Sequence, residues 1–217
     1  MKLIEYKRIL TSRNTIIKCI RDGKGKKTDL DIWTLMMAEK IEYIVSKRHL
    51  FSEYFNREFQ KEYNVISGIE ESPDIEYVSR FTGKNSQDIC HQINSFMDRD
   101  IKLGSTSIGT HKEDFCFIKS DGKMFTGYAS QGQKRTAAIS LKNAEKTYTE
   151  DKTGKIPVLL VDDIFSELDE KRRSNMIESI SGKNQVIMTM VSVDPVIRGA
   201  FVNSAVYTIM DGEVSAL

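Results

Sequence analysis

The sequence predicts an α/β fold in which a mainly parallel sheet with flanking helices is joined to a long helical hairpin that forms an arm. Two observations support this fold class. Helical periodicity dominates the first hundred of the 217 residues, and short apolar strands alternate with helices after Gly104. We therefore expect two parts, a helical arm region over residues 1–103 and an α/β lobe over residues 104–217.

The arm region is expected to be an antiparallel helical hairpin with a short strand insert. Its first helix ends at residues 22–25 and carries one apolar face, formed by Leu3, Tyr6, Leu10, Ile17 and Ile20. Residues 29–64 contain neither Gly nor Pro. A helix of that length runs roughly 50 Å, which indicates an arm or two helices with a bend. A strand-like piece at 75–81 then precedes a second helical segment at 85–101. The aromatic residues of the long helix are interpreted as packing residues: Phe51, Phe55 and Phe59.

The lobe begins with a predicted hairpin. Residues 115–118 and 124–128 read as strands, and Asp121-Gly122 between them suits a type I′ turn. Helices and strands then alternate, in the order helix 130–148, strand 158–161, helix 169–180, strand 186–189, short helix after Pro195 and strand 206–209. Because the strands are continuous apolar runs, we expect a sheet covered on both faces.

The composition excludes several classes of protein. Lys and Arg number 32 against 31 Asp and Glu, which excludes a polycation that coats nucleic acid by bulk charge. Cys19, Cys90 and Cys116 form no Cys-x-x-Cys or Cys/His cluster, which argues against a disulfide framework and a zinc site. No apolar run approaches the roughly 18 residues of a membrane span, and the N-terminus does not resemble a secretory signal. We therefore expect a cytoplasmic protein with reduced thiols and no membrane partner.

Charge is nevertheless distributed unevenly along the chain. Residues 1–50 hold 12 Lys and Arg against 6 Asp and Glu, whereas residues 51–100 hold 5 against 10. One interpretation is two solvated faces that partly face each other. The other is a basic helical surface that contacts DNA phosphates.

The strongest local motif is Val158-Leu-Leu-Val-Asp-Asp163, a buried strand followed by two carboxylates. Ligands of open α/β folds bind at the carboxyl ends of strands, where Asp162 can hold Mg²⁺ and Asp163 can orient or deprotonate a water. This pattern is typical of the Walker B motif of nucleoside triphosphatases. The alternative is that one carboxylate only caps the following turn.

Two further motifs flank this strand. In Ser130-Gln-Gly-Gln133, Ser130 can cap a helix whose free N–H groups and dipole suit a phosphate, and Gly132 permits close approach to the backbone. In Ser166-Glu-Leu-Asp169, either end residue could line a nucleotide site or simply cap the next helix. A capped surface helix is likewise the alternative for Ser130.

Taken in order, these motifs resemble the heads of ABC-type ATPases, and more closely the RecF family of bacterial recombination and gap-repair proteins, which is related to SMC heads. The segments that carry the resemblance are Gly109–Asp114, Ser130–Ala138, Ile156–Arg173, Gln185–Thr189 and Asp211–Glu213, with looser similarity at Leu10–Lys18 and Leu30–Trp33. The resemblance implies that residues 104–217 are the C-terminal lobe of an ABC-type head.

The resemblance also implies roles for single residues. Asp162 would coordinate Mg²⁺ and Asp163 would be the catalytic carboxylate. Ser130, Gln131, Gly132 and Gln133 would be the signature motif, which meets ATP bound to the opposing subunit, and Ser166 and Asp169 would form the D-loop at the dimer seam. His111 is expected to be a structural hydrogen-bonding residue.

Two departures from the family pattern affect these expectations. No Gly-x-x-x-x-Gly-Lys-[Ser/Thr] loop exists in the chain, since Gly25-Lys26 is followed by Lys27. Without that Walker A loop a self-contained nucleotide site is implausible. At the switch position the family often has a hydroxyl residue, whereas Thr189 is followed here by Met190, so Thr189 or Ser192 is the candidate.

The favoured function is a RecF-like one: ATP-dependent binding at single-strand gaps or junctions of single- and double-stranded DNA, with recombinase loading alongside other mediator proteins and an ATP-dependent homodimer. ATPase activity would require a complementing Walker A lobe. A second hypothesis is a non-enzymatic adaptor that binds DNA or protein partners. A third, a receiver-like phosphotransfer domain using Asp162 and Asp163, leaves Ser130–Arg135 and Ser166–Asp169 unexplained.

Overall fold

The computed structural model describes residues 2–70, 72–163, 168–180, 185–193, 195–201 and 203–216. The chain divides into two compact units that interleave in sequence. The first unit comprises Met1–Asn56 and Asp74–Ile118, and the second comprises Arg57–Pro73 and Lys119–Leu217. The functional division at residues 103 and 104 stays a prediction, because these units follow packing and not function. None of the described helices is long and apolar enough to span a bilayer.

The elements of the first unit are mostly helical. They are α1 (Lys2–Arg21), the part of α2 (Asp31–Ser67) up to Asn56, β1 (Asp74–Val78), α3 (Ser86–Ser95), α4 (Met97–Leu103) and β2 (Asp114–Ile118), with 3-10 turns at Lys27–Leu30 and Thr110–Lys112. α2 is one continuous helix of 37 residues, so the bent alternative is wrong. β1 and β2 pair antiparallel, with Glu76 opposite Cys116.

The elements of the second unit alternate as the sequence predicts. They are the end of α2, α5 (Phe125–Tyr128), α6 (Gln131–Thr153), β3 (Leu159–Asp162), α7 (Glu170–Ile180), β4 (Val186–Thr189), α8 (Pro195–Ala200), β5 (Tyr207–Met210) and β6 (Glu213–Ala216). β3 and β4 form a parallel pair, and β5 and β6 form an antiparallel hairpin. The hydrophobic core of the second unit joins helices to the parallel pair. It consists of Ile66, Ile139, Val161, Leu168, Met176, Ile177, Ile180 and Ile197.

Three sequence expectations are wrong in detail. The strand at 115–118 pairs with β1 and not with 124–128, and Phe125–Tyr128 is a short helix. The second helix of the arm is divided at Phe96, whose N–H bonds to the carbonyl of Ile93 instead of continuing the α-helical ladder. The apolar face of α1 is also shifted, because Leu3 is exposed and Ile9 is buried in its place.

The parallel pair is covered on one face only. Val161 is 4% exposed, whereas Leu160 is 75% exposed and its neighbour across the pair, Ile187, is 54% exposed. The expectation of a sheet covered on both faces is therefore wrong for this chain. Because side chains alternate along a strand, Asp162 and Thr189 lie on the same open face as Leu160 and Ile187.

A buried ion pair organises the first unit. Arg13 on α1 and Asp100 on α4 are both fully buried, and the guanidinium Nη1 donates to the Asp100 carboxylate at 2.9 Å. The same Nη1 donates to the Thr106 hydroxyl at 2.6 Å, and Ser107 donates to Asp100 from its N–H at 2.8 Å. Asn14 accepts the Thr106 N–H at 2.8 Å. These bonds offset much of the cost of burying the two charges, although Arg13 Nη2 has no hydrogen-bond partner among the described residues.

His111 adds a second connection between Thr106 of this network and α1. Its Nδ1 accepts the hydroxyl hydrogen of Tyr6 at 2.7 Å, and its Nε2 lies 3.3 Å from the carbonyl oxygen of Thr106. Burial lowers the pKa of His111, so the neutral ring is favoured in the folded chain. Gly109 sits at φ +146°, and a side chain there would meet the Tyr6 hydroxyl at 2.5 Å, so the turn that presents His111 requires glycine.

The buried pair leads to a stability prediction. Replacing Asp100 with Ala leaves the Arg13 guanidinium buried without its counter-charge, and the free energy of unfolding in urea should fall by about 3–5 kcal/mol. The matched control is Asp98→Ala on the same helix, whose partner Lys27 is exposed with it. The control should leave the free energy of unfolding unchanged within error. Equal losses in both variants would contradict the role assigned to Arg13–Asp100.

His111 leads to a pH prediction. Because its folded pKa lies below the ordinary 6.5, its contribution to stability is complete above pH 6.5 and is lost as pH falls through the lowered pKa. The parent should lose more unfolding free energy than His111→Gln between about pH 8 and about pH 5. The exposed His91→Gln variant should follow the parent. A His111→Gln profile parallel to that of the parent would rule the effect out.

Candidate functional site

The carboxyl end of the parallel pair brings together three of the predicted site residues. Asp162 lies opposite Thr189 in the register, and the Thr189 hydroxyl donates to Asp162 Oδ1 at 2.5 Å. The Asp163 N–H lies 3.2 Å from both the hydroxyl and the carbonyl oxygen of Thr189. The hydroxyl thus joins the two carboxylate residues, and Thr189 rather than Ser192 makes this contact.

Asp163 has an unusual backbone conformation. Its φ of +44° lies in the left-handed region, and among described non-glycine residues only Asp211 shares a positive φ. Left-handed backbone costs most residues about 1 kcal/mol or more, and Asp tolerates it better than most. The conformation ends β3 and turns the chain directly after Asp162.

The predicted signature segment forms the start of α6. Ser130 is the N-cap: its hydroxyl accepts the Gln133 N–H at 3.2 Å, while the Gln133 side chain accepts the Ser130 N–H at 2.8 Å. This capping box occupies two of the donors at the helix start. The capping alternative for Ser130 is confirmed, and the N–H groups of Gln131 and Gly132 remain at the positive end of the helix dipole.

Asp169 stands immediately before α7 and caps it. Its Oδ1 accepts the Arg172 N–H at 2.9 Å and its Oδ2 accepts the Arg172 Nη1 at 3.0 Å. The capping alternative is therefore confirmed for Asp169, and its place at a dimer seam stays a prediction. Ser166 lies outside the described residues.

Arg172 contacts two of the predicted site residues and was not predicted from the sequence. Its Nη1 lies 2.8 Å from where a side chain on Gly132 would begin, so the guanidinium rests against the backbone at the start of α6. Arg172 thereby connects Asp169 of the predicted D-loop to Gly132 of the predicted signature motif. The signal available in the sequence was a cation three residues after a capping Asp, a spacing that brings the two side chains together on a helix.

Asp162 and Asp163 supply carboxylates at the end of β3 that could contribute ligands to a metal ion. No group of three or more His, Cys, Asp or Glu within the described ranges is arranged to hold a metal ion. Mg²⁺ is commonly held by one or two carboxylates together with substrate phosphates, and Asp162 supplies the type of oxygen it prefers. The donor set therefore fits Mg²⁺ only together with a nucleotide.

Comparison with known proteins identifies the relatives of this chain. No family model matches. The DNA replication and repair protein RecF of Leptospira interrogans is 33% identical over 192 residues, covering 88% of this chain and 51% of the relative. RecF of Ligilactobacillus salivarius is 31% identical over 221 residues, covering 98% of this chain and 58% of the relative. The chain is a homologue of RecF.

The solved structures agree with the curated relatives. The recombination mediator protein RecF-ATP in the RecFOR pathway matches with a TM-score of 0.80 and 31% identity, covering all of this chain and 57% of that one. The expected resemblance to a RecF C-terminal portion is therefore confirmed, and with it the fold class. The chain spans a little over half the length of the RecF proteins it matches.

The contacts of Thr189 lead to a local prediction. Thr189→Val removes the hydroxyl that holds Asp162 and Asp163, so the Asp163 amide should exchange faster with deuterium by NMR. Because the site is solvent-accessible, the free energy of unfolding should fall by only about 0.5–1 kcal/mol. The control is Thr208→Val on β5. The Thr208 side chain forms no hydrogen bond with any residue that the structure describes. Unchanged exchange at Asp163 would contradict the arrangement.

Proposed function

We propose that this chain supplies one half of the ATP site of a RecF-like DNA repair ATPase. The observation that carries the proposal is the grouping of Asp162, Asp163 and Thr189 at the carboxyl end of the parallel pair. That position is where open α/β folds bind ligands. Support for ATP comes from the homologous RecF-ATP structures, whose nucleotide is a property of those proteins.

Three of the predicted residues would have separate roles in this half-site. Asp162 would hold Mg²⁺, which supplies charge neutralisation for the phosphates when bound. Asp163 would orient the attacking water and accept its proton, and Thr189 would position both carboxylates and sense the γ-phosphate. These tasks match the parts that phosphoryl transfer requires of a protein. Met190, which follows Thr189, is expected to have no direct role.

The signature side would serve a second subunit. Ser130, Gln131, Gly132 and Gln133 would present the start of α6 to ATP bound by the opposing head, with Arg172 and Asp169 behind them. A helix start suits the γ-phosphate because its N–H groups and dipole favour negative charge. We infer that ATP draws two heads together and that hydrolysis releases them.

The open face of the parallel pair is an argument for a partner lobe that covers it. A parallel sheet is rarely stable with one face in water, and Leu160 and Ile187 are both well exposed. Asp162 and Thr189 share this face, so a lobe that covered the leucine and isoleucine would lie beside the carboxylate. Such a lobe could bring the phosphate-binding loop that this sequence lacks.

The partners expected for a DNA repair protein of this kind are DNA and other recombination proteins. We propose action in the cytoplasm at single-strand gaps and at junctions of single- and double-stranded DNA, with loading of recombinase by mediator proteins of the RecF pathway. Support comes from the names of the homologues, DNA replication and repair protein and recombination mediator. The second candidate is a non-enzymatic adaptor, which the absence of a Walker A loop favours for the isolated chain.

One experiment separates the two candidates. Binding and hydrolysis of ATP with Mg²⁺ would be measured for this chain alone and with the part of the Ligilactobacillus salivarius RecF that lies outside the region matched by this chain. The chain alone should be inactive, and the added segment should restore both activities. Failure of the segment to restore ATP binding would favour the adaptor.

A substitution then tests the catalytic assignment in the restored complex. Asp163→Asn should keep ATP binding and lower the hydrolysis rate about 10²–10⁴-fold, because the amide accepts no proton from the attacking water. The matched control is Asp211→Asn, the other described Asp with positive φ, which lies in the β5–β6 turn. Hydrolysis that survives Asp163→Asn at the parent rate would exclude Asp163 as the catalytic carboxylate.

A further inference from the structure

We propose that the exposed side of α1 binds the phosphate backbone of nucleic acid. This surface, the α1 basic face, consists of Lys7, Arg8, Thr11, Thr15 and Lys18, all of which are exposed. The inference rests on the proposed function in one respect, since DNA is the polyanion that a repair protein meets. The contacts that single out this face are independent of the nucleotide site.

Half of the 12 Lys and Arg residues in the basic stretch 1–50 form side-chain ion pairs or hydrogen bonds within the first unit. Arg13 is buried against Asp100, and Lys2 and Lys40 both contact Glu5. Further pairs are Lys27 with Asp98 and Arg21 with Asp22, and Arg48 donates to the Thr110 carbonyl. These residues stabilise the unit or neutralise one another, so they contribute little net attraction for a ligand.

The three cations of the α1 basic face are different. The charged side-chain groups of Lys7, Arg8 and Lys18 form no hydrogen bond or ion pair with any residue that the structure describes. Between Glu5 and Asp22 the helix carries no carboxylate that could compete for them. Their positive charge is therefore fully available to an external anion.

Helix geometry places these charges in a row. Lys7 and Lys18 are three turns apart on the same side of α1, a rise of about 16 Å, and Arg8 flanks Lys7. The hydroxyls of Thr11 and Thr15 donate to the carbonyls of Lys7 and Thr11, one turn back, so these short side chains lie flat on the helix. A row of cations separated by short uncharged residues suits a regular polyanion better than a single carboxylate.

The opposite side of α1 is held rigidly. Tyr6, Ile9 and Ile17 are buried, and Arg13 and Asn14 bond to Asp100 and Thr106. A helix fixed on one side presents its exposed cations without an ordering cost when a ligand binds. Because α1 is held rigidly and its exposed cations are unpaired, this face should bind phosphates better than a disordered segment of the same charge would.

The test measures binding of the full chain, without nucleotide, to a fluorescein-labelled 30-base-pair duplex by anisotropy across a salt series. The variant is Lys7→Gln, Arg8→Gln and Lys18→Gln combined. Each phosphate contact contributes about 0.9 to the slope of log affinity against log salt, so losing three should lower the slope by about 2–3. Affinity at low salt should fall at least about tenfold.

The control variant removes the same number of positive charges from a different helix. Lys142→Gln, Lys146→Gln and Lys152→Gln lie on α6 in the second unit, and this triple variant should keep the parent slope and affinity. Circular dichroism would verify that both variants retain the helical content of the parent. Equal losses in the two variants would reduce the effect to bulk charge and overturn the proposal.

Parent-like DNA binding by the α1 variant would also overturn the proposal, because it would leave the face to another anion such as an acidic protein surface. Loss of the ATP-dependent activity of the composite site leaves this measurement unaffected, since no nucleotide is present. The two proposals therefore fail separately.

Discussion

The parallel register of β3 and β4 is the constraint on which the candidate site depends. It sets Asp162 opposite Thr189 and brings the Asp163 N–H to the same hydroxyl. A slip of one residue would turn each strand over and move its side chains to the other face. Val161 prevents that slip from one side, because it is buried in the core with Ile139 and Ile177. Packing beneath the sheet thus determines the chemistry at its end.

The two compact units use different means to position functional surfaces. In the second unit, apolar packing beneath β3 leaves the opposite face of the sheet open next to the carboxylates. In the first unit, a polar network centred on Arg13 and Asp100 fixes one side of α1 and leaves the other side basic. Both surfaces expose groups that have no complementary partner among the described residues. The first exposes apolar side chains and the second exposes unpaired cations. The partners that we propose for these surfaces are a protein lobe for the first and a polyanion for the second.

Two Asp-Gly pairs illustrate how far local signals reach. Asp121-Gly122 predicted a hairpin with a second strand at 124–128, but Phe125–Tyr128 is a helix and the strand before the turn pairs with the distant β1. Asp211-Gly212, which only the family resemblance singled out, joins β5 to β6, with φ of +52° and +83° at its two residues. The same dipeptide occurs in both places, so the availability of a partner strand determines whether it joins two paired strands. Long-range pairing decides the outcome because a turn alone supplies too little stabilisation to hold two strands together.

The sequence by itself determined the order of elements in the second unit, the acidic end of β3, the capped start of α6 and the homology to RecF. These follow from local periodicity, capping residues and motif spacing, which act over a few neighbouring residues. Tertiary structure alone decided that Thr189 joins Asp162 to Asp163, that Arg172 rests against Gly132, and that one face of the sheet stays open. Each of these depends on residues brought together from separate elements, and no periodicity within one element encodes such a contact.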